Sequence, residues 1–264
     1  MSESVAIIMR AKNEMPQVRQ TLDMLRKQTF TGFDFFAVDS GSTDGTLEVL
    51  QENYSEIVPI PPDEYVPGKV LNDAIGRINH PVIVLLNADA IPLSNDWLEK
   101  LITPVREGCV DATFCKQTAR PDARFIVAYD YERAYNPSKI SSGFFSAVAC
   151  AFRRELWQAH RFPEQGYAED AAWARACIED GARIQLVEDS VVEHSHNYTL
   201  EELYRKRFRQ APALGAKPTI GKLMRELLRD LLHAAAKLRV HTIPYNIAYR
   251  ITIHRAVYRG LRPQ

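Results

Sequence analysis

The stretch VIVLLNADAIP, residues 82–92, decides the fold class. Its first five residues are apolar without alternation, which is typical of a strand buried on both faces in a parallel sheet. The run ends in Asn87 and Asp89, and the one carboxylate lies between two alanines before Pro92 closes the segment. Such small neighbours predict that a ligand approaches Asp89 closely.

In the first half of the chain, apolar runs alternate with segments of helical spacing. The strand-like runs lie at 5–9, 33–38 and 57–60, and the helical segments at 16–28, 46–54 and 70–78. This alternation predicts an α/β fold with a doubly wound, mostly parallel sheet flanked by helices. Because ligands bind such sheets outside the carboxyl ends of the strands, the polar clusters at 10–13, 39–44 and 87–89 should line one crevice.

The second half is less regular. A helical pattern at 168–180 precedes a strand pattern at 183–194, and a helical pattern beyond residue 200 is broken by Pro212, Pro218 and Pro244. We therefore predict a first domain over residues 1–215 and a C-terminal helical extension over residues 216–264.

Charge is divided unevenly between these two segments. The full chain has 33 basic and 33 acidic side chains, of which ten basic and two acidic lie in residues 216–264. The extension therefore carries +8, and the preceding residues, with 23 basic and 31 acidic side chains, carry −8. A basic segment of this kind predicts an anionic partner.

The segment KLMRELLRDLLHAAAKLR, residues 222–239, has the spacing of an amphipathic helix. Its predicted apolar face consists of Leu223, Met224, Leu227, Leu228, Leu231, Leu232, Ala235 and Leu238. The face either packs on the first domain or lies on an anionic bilayer, where each Lys or Arg contributes about 1 kcal/mol. No nucleic-acid partner is predicted, because aromatic residues are not interleaved with the basic ones.

The four cysteines show no disulfide or zinc spacing, and we predict them to be buried apolar residues in a reducing compartment. The N-terminus lacks the pattern of a secretion signal. There is also no apolar run of about 18 residues that could span a membrane. These features predict a cytoplasmic protein.

Two carboxylates follow predicted strands, and each has two interpretations. Asp39, in DSGSTDGT, either forms a strand-to-helix turn or accepts hydrogen bonds from a ribose or a base. Asp89 is either a turn residue or a ligand of Mg²⁺, which commonly uses one or two carboxylates together with phosphate oxygens.

Two further clusters have the same ambiguity. Glu169 and Asp170 begin a predicted helix, where acids favour the helix dipole, but one of them could serve as a general base while the other caps the helix. His194 and His196 project from one face of an extended segment, which suits a metal ion or an anionic leaving group. One core histidine and one surface histidine would explain the same pattern.

The order of these segments is more specific than any one of them. They run VAIIMRAKNE, VDSGSTDGT, LLNADAIP, SAVACAFRRELW, AEDAAWA and VEHSHNYT. Over residues 5–210 this order resembles the inverting glycosyltransferases of family 2, which have the GT-A fold. ATFCKQTARPDA and HSHNYT look most similar to the bacterial rhamnosyltransferase-like branch that builds surface polysaccharide.

The resemblance implies roles for the polar residues at the strand ends. Asp39 would contact the nucleotide, Asp89 would be the metal-binding acid of the Asp-x-Asp motif, and Asp170 would be the acceptor-activating base of the Glu-Asp motif, beside Glu169. The first acid of Asp-x-Asp is Asn87 here, which removes one charge. Further nucleotide contacts are expected at Arg10, Ala11, Asn13, Glu14, Ser40, Lys69, Asn87 and Ala88. The nucleotide-binding half would cover about residues 1–110 and the acceptor half about 111–215.

The implied activity is metal-dependent, inverting transfer of a hexose from a UDP- or dTDP-linked donor to a glycan or lipid-linked acceptor in bacterial surface-polysaccharide synthesis. Mg²⁺ or Mn²⁺ would be held by Asp89 with His194 and His196. The protein would lie in the cytoplasm, peripherally on the inner face of the plasma membrane through residues 216–264. One alternative is a catalytically silent nucleotide-sugar-binding scaffold, which Asn87 favours. The other is a nucleotidyltransferase, but MRAKNEMP lacks the glycine-rich phosphate loop that this class needs.

Overall fold

The computed structural model describes residues 4–54, 56–137, 143–214 and 217–262. Within these residues the strands are β1 (Val5–Ala11), β2 (Phe33–Asp39), β3 (Ile57–Pro59), β4 (Val82–Asn87), β5 (Ile91–Pro92), β6 (Ala112–Thr118), β7 (Ala149–Arg153) and β8 (Ile184–Glu193). The α-helices are α1 (Gln17–Arg26), α2 (Thr46–Asn53), α3 (Pro67–Gly76), α4 (Trp97–Arg106), α5 (Phe125–Ala134), α6 (Arg154–Ala159), α7 (Glu169–Glu179), α8 (Leu200–Leu214), α9 (Ile220–Ala236) and α10 (Ile243–Gly260).

The strands form one sheet in the order β3-β2-β1-β4-β7-β6-β8-β5. The first four are mutually parallel, and β6 and β8 are also parallel to each other. The remaining pairs are antiparallel: β7 with β4, β7 with β6, and β5 with β8. The sheet confirms the predicted mostly parallel α/β fold, and the antiparallel insertion of β7 is a feature that the sequence patterns did not indicate.

The register of the central strands places the predicted polar residues side by side. Every residue of β4 before Asn87 is buried, as its unbroken apolar run predicts. In the parallel ladder, Arg10 lies opposite Asn87, and Ala11 lies opposite Asp39. The ends of β1, β2 and β4 therefore meet at one edge of the sheet.

The chain divides into two compact units. The first contains the whole sheet with α1–α4, α6 and α7, in residues 1–118, 135–165 and 169–194. The second contains α5 and α8–α10, in residues 119–134, 166–168 and 195–264. The predicted boundary between residues 215 and 216 lies outside the described residues, and the domain ranges stay a prediction.

In the second unit, the predicted helix break at Pro212 is wrong, because this residue lies inside α8. A proline has no N–H to donate to the carbonyl four residues earlier, which belongs to Phe208. A Cβ atom on Gly260 of α10 would lie 2.5 Å from that same carbonyl oxygen. The glycine therefore lets α10 approach α8 at the carbonyl that Pro212 cannot serve. Pro218 lies between α8 and α9, and Pro244 lies in the first turn of α10.

A buried ion network joins three helices of the second unit. Arg250 of α10 donates through Nη1 to Asp130 of α5 at 2.9 Å and through Nε to Asp230 of α9 at 2.5 Å. Arg250 and Asp230 are buried.

None of the helices in the described ranges combines the length and the apolar character needed to cross a lipid bilayer.

Candidate active site

The loops that follow β1 and β2 are joined by hydrogen bonds. Asn13 has φ 57°, in the left-handed region that asparagine tolerates, and its Oδ1 accepts from the N–H of Thr43 at 2.8 Å. The N–H of Asn13 donates to Ser42 Oγ, and the N–H of Glu14 donates to Thr46 Oγ1, both at 2.9 Å. Asn13 and Glu14 therefore hold two strand ends together, and their predicted contact with a nucleotide stays a prediction.

Asp39 is buried at the end of β2, and its own loop uses its carboxylate. Oδ2 accepts from the N–H groups of Gly41 and Ser42 at 2.9 Å, and Ser42 Oγ donates to Oδ1 at 2.5 Å. These bonds form the strand-to-helix turn that was one interpretation of this motif. Each carboxylate oxygen has two lone pairs, so the predicted nucleotide role stays open. Ser40 is also buried and donates its N–H to the carbonyl of Ala11 at 3.0 Å.

Lys69 lies on α3 beside a cavity of about 200 Å³ at the ends of β2 and β3. Val38, Ile60 and Arg77 also line this cavity. The Nζ atom of Lys69 lies 2.6 Å from Asp73 Oδ2, one turn further along α3. The predicted basic residue therefore lines a cavity whose wall includes Val38, the residue before Asp39 in β2.

The predicted metal-binding side chains come together. β5 pairs with β8 so that Ile91 lies opposite Glu193, and this pairing brings Asp89 and His194 to neighbouring positions. Asp89 Oδ2 lies 3.5 Å from His194 Nε2, and both residues are buried. His196 follows His194 by two residues, and one ligand atom from each of the three side chains lies within 4.8 Å of the others. The group is a possible Asp-His-His metal site.

Gln117 orients His194 and was not predicted. Gln117 lies on β6. The backbone N–H of His194 donates to the carbonyl of Thr118, the next residue of β6, at 2.9 Å, and this bond places His194 beside Gln117. Gln117 Oε1 lies 2.9 Å from His194 Nδ1, and its Nε2 donates to Ser146 Oγ at 2.8 Å. An amide oxygen is only an acceptor, so the Nδ1 atom that faces it carries a proton, and this bond directs the Nε2 atom of His194 towards Asp89.

The two alanines around Asp89 have a structural explanation. Ala88 and Ala90 have no exposed surface and belong to the apolar core below the sheet edge. The N–H of Ala88 donates to the carbonyl of Arg10 at 2.9 Å, and the N–H of Ala90 to the carbonyl of Asn87 at 3.0 Å. Core packing therefore accounts for these small residues, and the expectation that they leave room for a ligand has no support in their burial.

Glu169 and Asp170 open α7 directly after Ala168, whose φ of 70° lies in the left-handed region. Asp170 Oδ1 accepts from the N–H of Ala171 at 2.8 Å, and the N–H of Ala147 points at Oδ2 from 3.4 Å. Burial, followed by the negative charge of Glu169, raises the pKa of Asp170 above that of an ordinary aspartate. A raised pKa makes a carboxylate a better general base near neutral pH.

Arg10, at the end of β1, joins the Asn87–Asp89 segment to the Glu169–Asp170 pair. Its Nη1 donates to Glu169 Oε1 at 3.2 Å. Its Nη2 donates to Asn87 Oδ1 at 3.0 Å and to the carbonyl of Ala147 at 3.2 Å. Arg10 was predicted only as a nucleotide contact, but its adjacency to Asn87 follows from the predicted parallel pairing of the two strands.

Comparison with known proteins gives concordant matches. The model of the family described as Glycosyl transferase family 2 matches residues 6–160, more than half of the chain. Among curated proteins, O-antigen chain rhamnosyltransferase WbaN of Salmonella anatum is 27% identical over 198 residues, which are 69% of this chain and 63% of that protein. O-antigen chain rhamnosyltransferase RfbN of Salmonella typhimurium is 27% identical over 204 residues, 71% of this chain and 65% of that protein. The chain thus spans less than two thirds of the length of these relatives.

Solved structures share the fold at lower identity. Mannosyltransferase PcManGT from Pyrobaculum calidifontis, in complex with GDP-Man and Mn²⁺, matches with a TM-score of 0.64 and 22% identity over 94% of this chain and 73% of that chain. S. aureus TarS 1–349 in complex with UDP-GlcNAc matches with a TM-score of 0.58 and 17% identity over 95% and 90%. Glucosyl-3-phosphoglycerate synthase from Mycobacterium tuberculosis, with Mn²⁺, UDP and phosphoglyceric acid, matches with a TM-score of 0.55 and 20% identity over 83% and 81%.

These likenesses confirm the GT-A fold that was predicted from the order of the motifs. The family match covers β1 to α6, which includes Arg10, Asp39, Asn87 and Asp89. From this match, the chain belongs to glycosyl transferase family 2.

Proposed function

We propose that the protein is a metal-dependent, inverting glycosyltransferase with Asp170 as its general base. The donor is a UDP- or dTDP-linked sugar, with dTDP-rhamnose as the first choice because the curated relatives are rhamnosyltransferases. The acceptor is a glycan or a lipid-linked glycan of a bacterial surface polysaccharide.

The observation that carries this proposal is the link that Arg10 makes between the two motifs. Its guanidinium binds Asn87, two residues before Asp89 of the possible metal site, and also Glu169, next to Asp170. A transferase needs these two functions close together, because the leaving diphosphate and the attacking hydroxyl are on opposite sides of one anomeric carbon. One side chain that spans both motifs fits this requirement.

The donor atoms of Asp89, His194 and His196 suit a divalent cation and favour Mn²⁺ over Mg²⁺. Mg²⁺ prefers oxygen ligands in an octahedral arrangement, whereas imidazole nitrogens suit transition metals better. Asp89 and His194 are buried, so a cation held by them would be shielded from bulk water. When bound, a divalent cation stabilises the negative charge that develops on a departing diphosphate.

Asp170 performs the proton transfer in the proposed reaction. It accepts the proton of the acceptor hydroxyl while that oxygen attacks the anomeric carbon, and the bond from this carbon to the nucleoside diphosphate breaks. Attack from the face opposite the leaving group inverts the anomeric centre without a covalent enzyme intermediate. The two N–H groups at Ala147 and Ala171 hold the carboxylate in place.

The test is transfer by Asp170→Asn, measured as release of nucleoside diphosphate from a panel of dTDP-rhamnose, UDP-glucose and GDP-mannose with Mn²⁺. Asparagine cannot accept the proton, so we expect loss of transfer at least about a hundredfold, the usual contribution of general base catalysis. Binding of the donor, followed by thermal shift, should persist. The matched control is Asp180→Asn, an exposed acid just beyond the same helix.

Three results separate the candidates. Full turnover by Asp170→Asn would refute the base assignment. Donor binding without any turnover by the wild type, with acceptor glycans supplied, would favour the silent nucleotide-sugar-binding protein. Turnover that needs Asp170 and Mn²⁺ supports the transferase.

We also propose that α9 places the protein on the anionic inner face of the plasma membrane. The helix exposes an apolar stripe, which we define as Met224, Leu228, Leu231 and Leu232, exposed by 59%, 59%, 40% and 63%. The opposite side of α9 buries Asp230 and Ala234 within the second unit. The four residues of the stripe therefore lie outside the packing face of α9.

Charge favours a lipid surface over a second copy of the chain as the occupant of this stripe. Lys222, Arg225 and Arg229 lie beside it, within a segment that carries +8. Two stripes facing each other would bring like charges together, whereas anionic headgroups neutralise them. Buried apolar area and about 1 kcal/mol from each nearby basic residue then act in the same direction.

Vesicle flotation tests this surface in the full chain. We expect flotation with vesicles that contain phosphatidylglycerol, weak flotation with phosphatidylcholine alone, and at least about tenfold less recovery for the double variant Leu228→Glu, Leu232→Glu. Leu93→Glu is the matched control, because Leu93 is 52% exposed in the first unit. Equal flotation of all variants would refute the surface, and a wild-type dimer that the double variant abolishes would assign the stripe to a second copy.

A further inference from the structure

We propose that Arg10 is a positioning residue of the reaction, which fixes the amide of Asn87 and the carboxylate of Asp170 through one guanidinium group. The inference rests on the proposed general-base role of Asp170. The three acceptors of Arg10 come from different elements: the end of β4, the start of α7 and the segment before β7. All of them lie in the first unit.

Arg10 determines what Asn87 offers to a ligand. A guanidinium has only N–H donors, so the side-chain atom of Asn87 that faces it at 3.0 Å must be the amide oxygen. The NH₂ group then points away from Arg10. Asn87 consequently presents donors, which suit phosphate or ribose oxygens, at a position where the family motif has a carboxylate for a cation.

Arg10 also reaches Asp170 through the backbone of residue 147. Its Nη2 donates to the carbonyl of Ala147, and the N–H of the same residue points at Asp170 Oδ2 from 3.4 Å. The bond from Nη1 to Glu169 holds the neighbouring acid beside the guanidinium. Arg10 therefore constrains Asp170 in two ways, through the neighbouring Glu169 and through the backbone of Ala147.

The charged and titratable groups around Asp170 give Arg10 an electrostatic role as well. Glu169 from α7 is negative and disfavours the ionised form of Asp170, whereas Arg10 from β1 favours it. The thiol of Cys150 from β7 stays protonated because burial raises its pKa. The N–H groups of Ala171 and Ala147 oppose burial and Glu169, and the positive charge of Arg10 adds to their effect, so its removal should raise the pKa of Asp170 further.

The experiment follows the titration of Asp170 itself by ¹³C NMR of protein labelled at the aspartate carboxyl carbons. The Asp170 signal is the one absent from Asp170→Asn. We expect Arg10→Gln to move the titration midpoint upward by about one pH unit, the lower end of the effect of a nearby opposite charge. Arg153→Gln is the matched control, since Arg153 lies at the other end of β7 and donates to the carbonyl of Val105 at 2.8 Å.

Arg10→Lys is the second variant, and it keeps the cation if Arg10→Gln does not fold. We expect its midpoint to stay near that of the wild type, while nucleoside diphosphate release from dTDP-rhamnose falls at least about tenfold, because an ammonium cannot replace a planar fork of donors. An unmoved midpoint in Arg10→Gln, an equal shift in Arg153→Gln, or wild-type turnover in Arg10→Lys would overturn the inference. If the wild type releases no nucleotide, the proposed function fails, whereas the titration still decides the role of Arg10.

Discussion

Replacing Gln117 by leucine should weaken Mn²⁺ binding at the proposed site, although Gln117 is not one of the three proposed ligands. Leucine has a similar volume but cannot accept a hydrogen bond from His194 Nδ1, so the imidazole loses the bond that holds its Nε2 atom towards Asp89. Residues that orient a ligating histidine typically contribute about 10- to 100-fold to metal affinity. We therefore expect the dissociation constant for Mn²⁺ to rise by that factor, or about 1.4 to 2.7 kcal/mol.

Electron paramagnetic resonance measures this change directly, because free Mn²⁺ gives a strong signal that binding broadens. Gln28→Leu is the matched control: Gln28 is also buried in the first unit, and its amide bonds the carbonyls of Met24 and Ser94 at 3.0 Å, away from the histidines. Both variants should lose stability, but only Gln117→Leu should lose affinity for Mn²⁺. Equal affinities in Gln117→Leu and the wild type would refute the role of Gln117 in orienting His194.

Three further predictions concern packing, a buried ion network and thiol reactivity. Gly68→Ala should lower the free energy of unfolding by about 1–3 kcal/mol, because its Cβ would lie 1.9 Å from the carbonyl oxygen of Pro163. The control is Gly76→Ala on the same helix, whose Cβ would have no atom within 4 Å and which should not destabilise the protein; urea unfolding compares the two variants. Arg250→Met should cost about 3 kcal/mol, the lower end for a broken buried pair, because it removes the cation shared by Asp130 and Asp230 and leaves them with Arg133 and Arg229; calorimetry should record a lower Tm. Ellman's reagent should label the exposed thiol of Cys109 at once in the native protein. It should not label Cys115, because burial raises the pKa of the Cys115 thiol to about 12. Rapid labelling that persists in Cys109→Ser would contradict this prediction.

The sheet edge could be predicted because its geometry follows from local patterns. An unbroken apolar run identifies a buried parallel strand, and parallel strands bring their carboxyl ends together. Arg10, Asp39 and Asn87 were placed on one edge in this way, and the structure has them in adjacent register. The burial of three cysteines was also predicted correctly, but Cys109 is exposed in the loop after α4.

Other features depend on contacts that are distant in sequence. Gln117 looks like any polar residue in a strand, and only the parallel pairing of β6 with β8 brings it to His194, 77 residues later. The antiparallel position of β7 likewise depends on which strands it meets. The helical break predicted at Pro212 is wrong, since α8 continues through this residue, and α10 packs at the affected carbonyl through Gly260, a pairing that no local pattern encodes.

The shared guanidinium of Arg10 has an evolutionary consequence. Its three acceptors are not independent, because they bind the same rigid guanidinium group. A change in one acceptor shifts this group and alters its bonds to the other two. Changes at positions 10, 87 and 169 should therefore be epistatic: introducing aspartate at position 87 would draw Arg10 away from Glu169 unless position 10 changed as well. Homologous chains should accordingly exchange the residues at these three positions as a set.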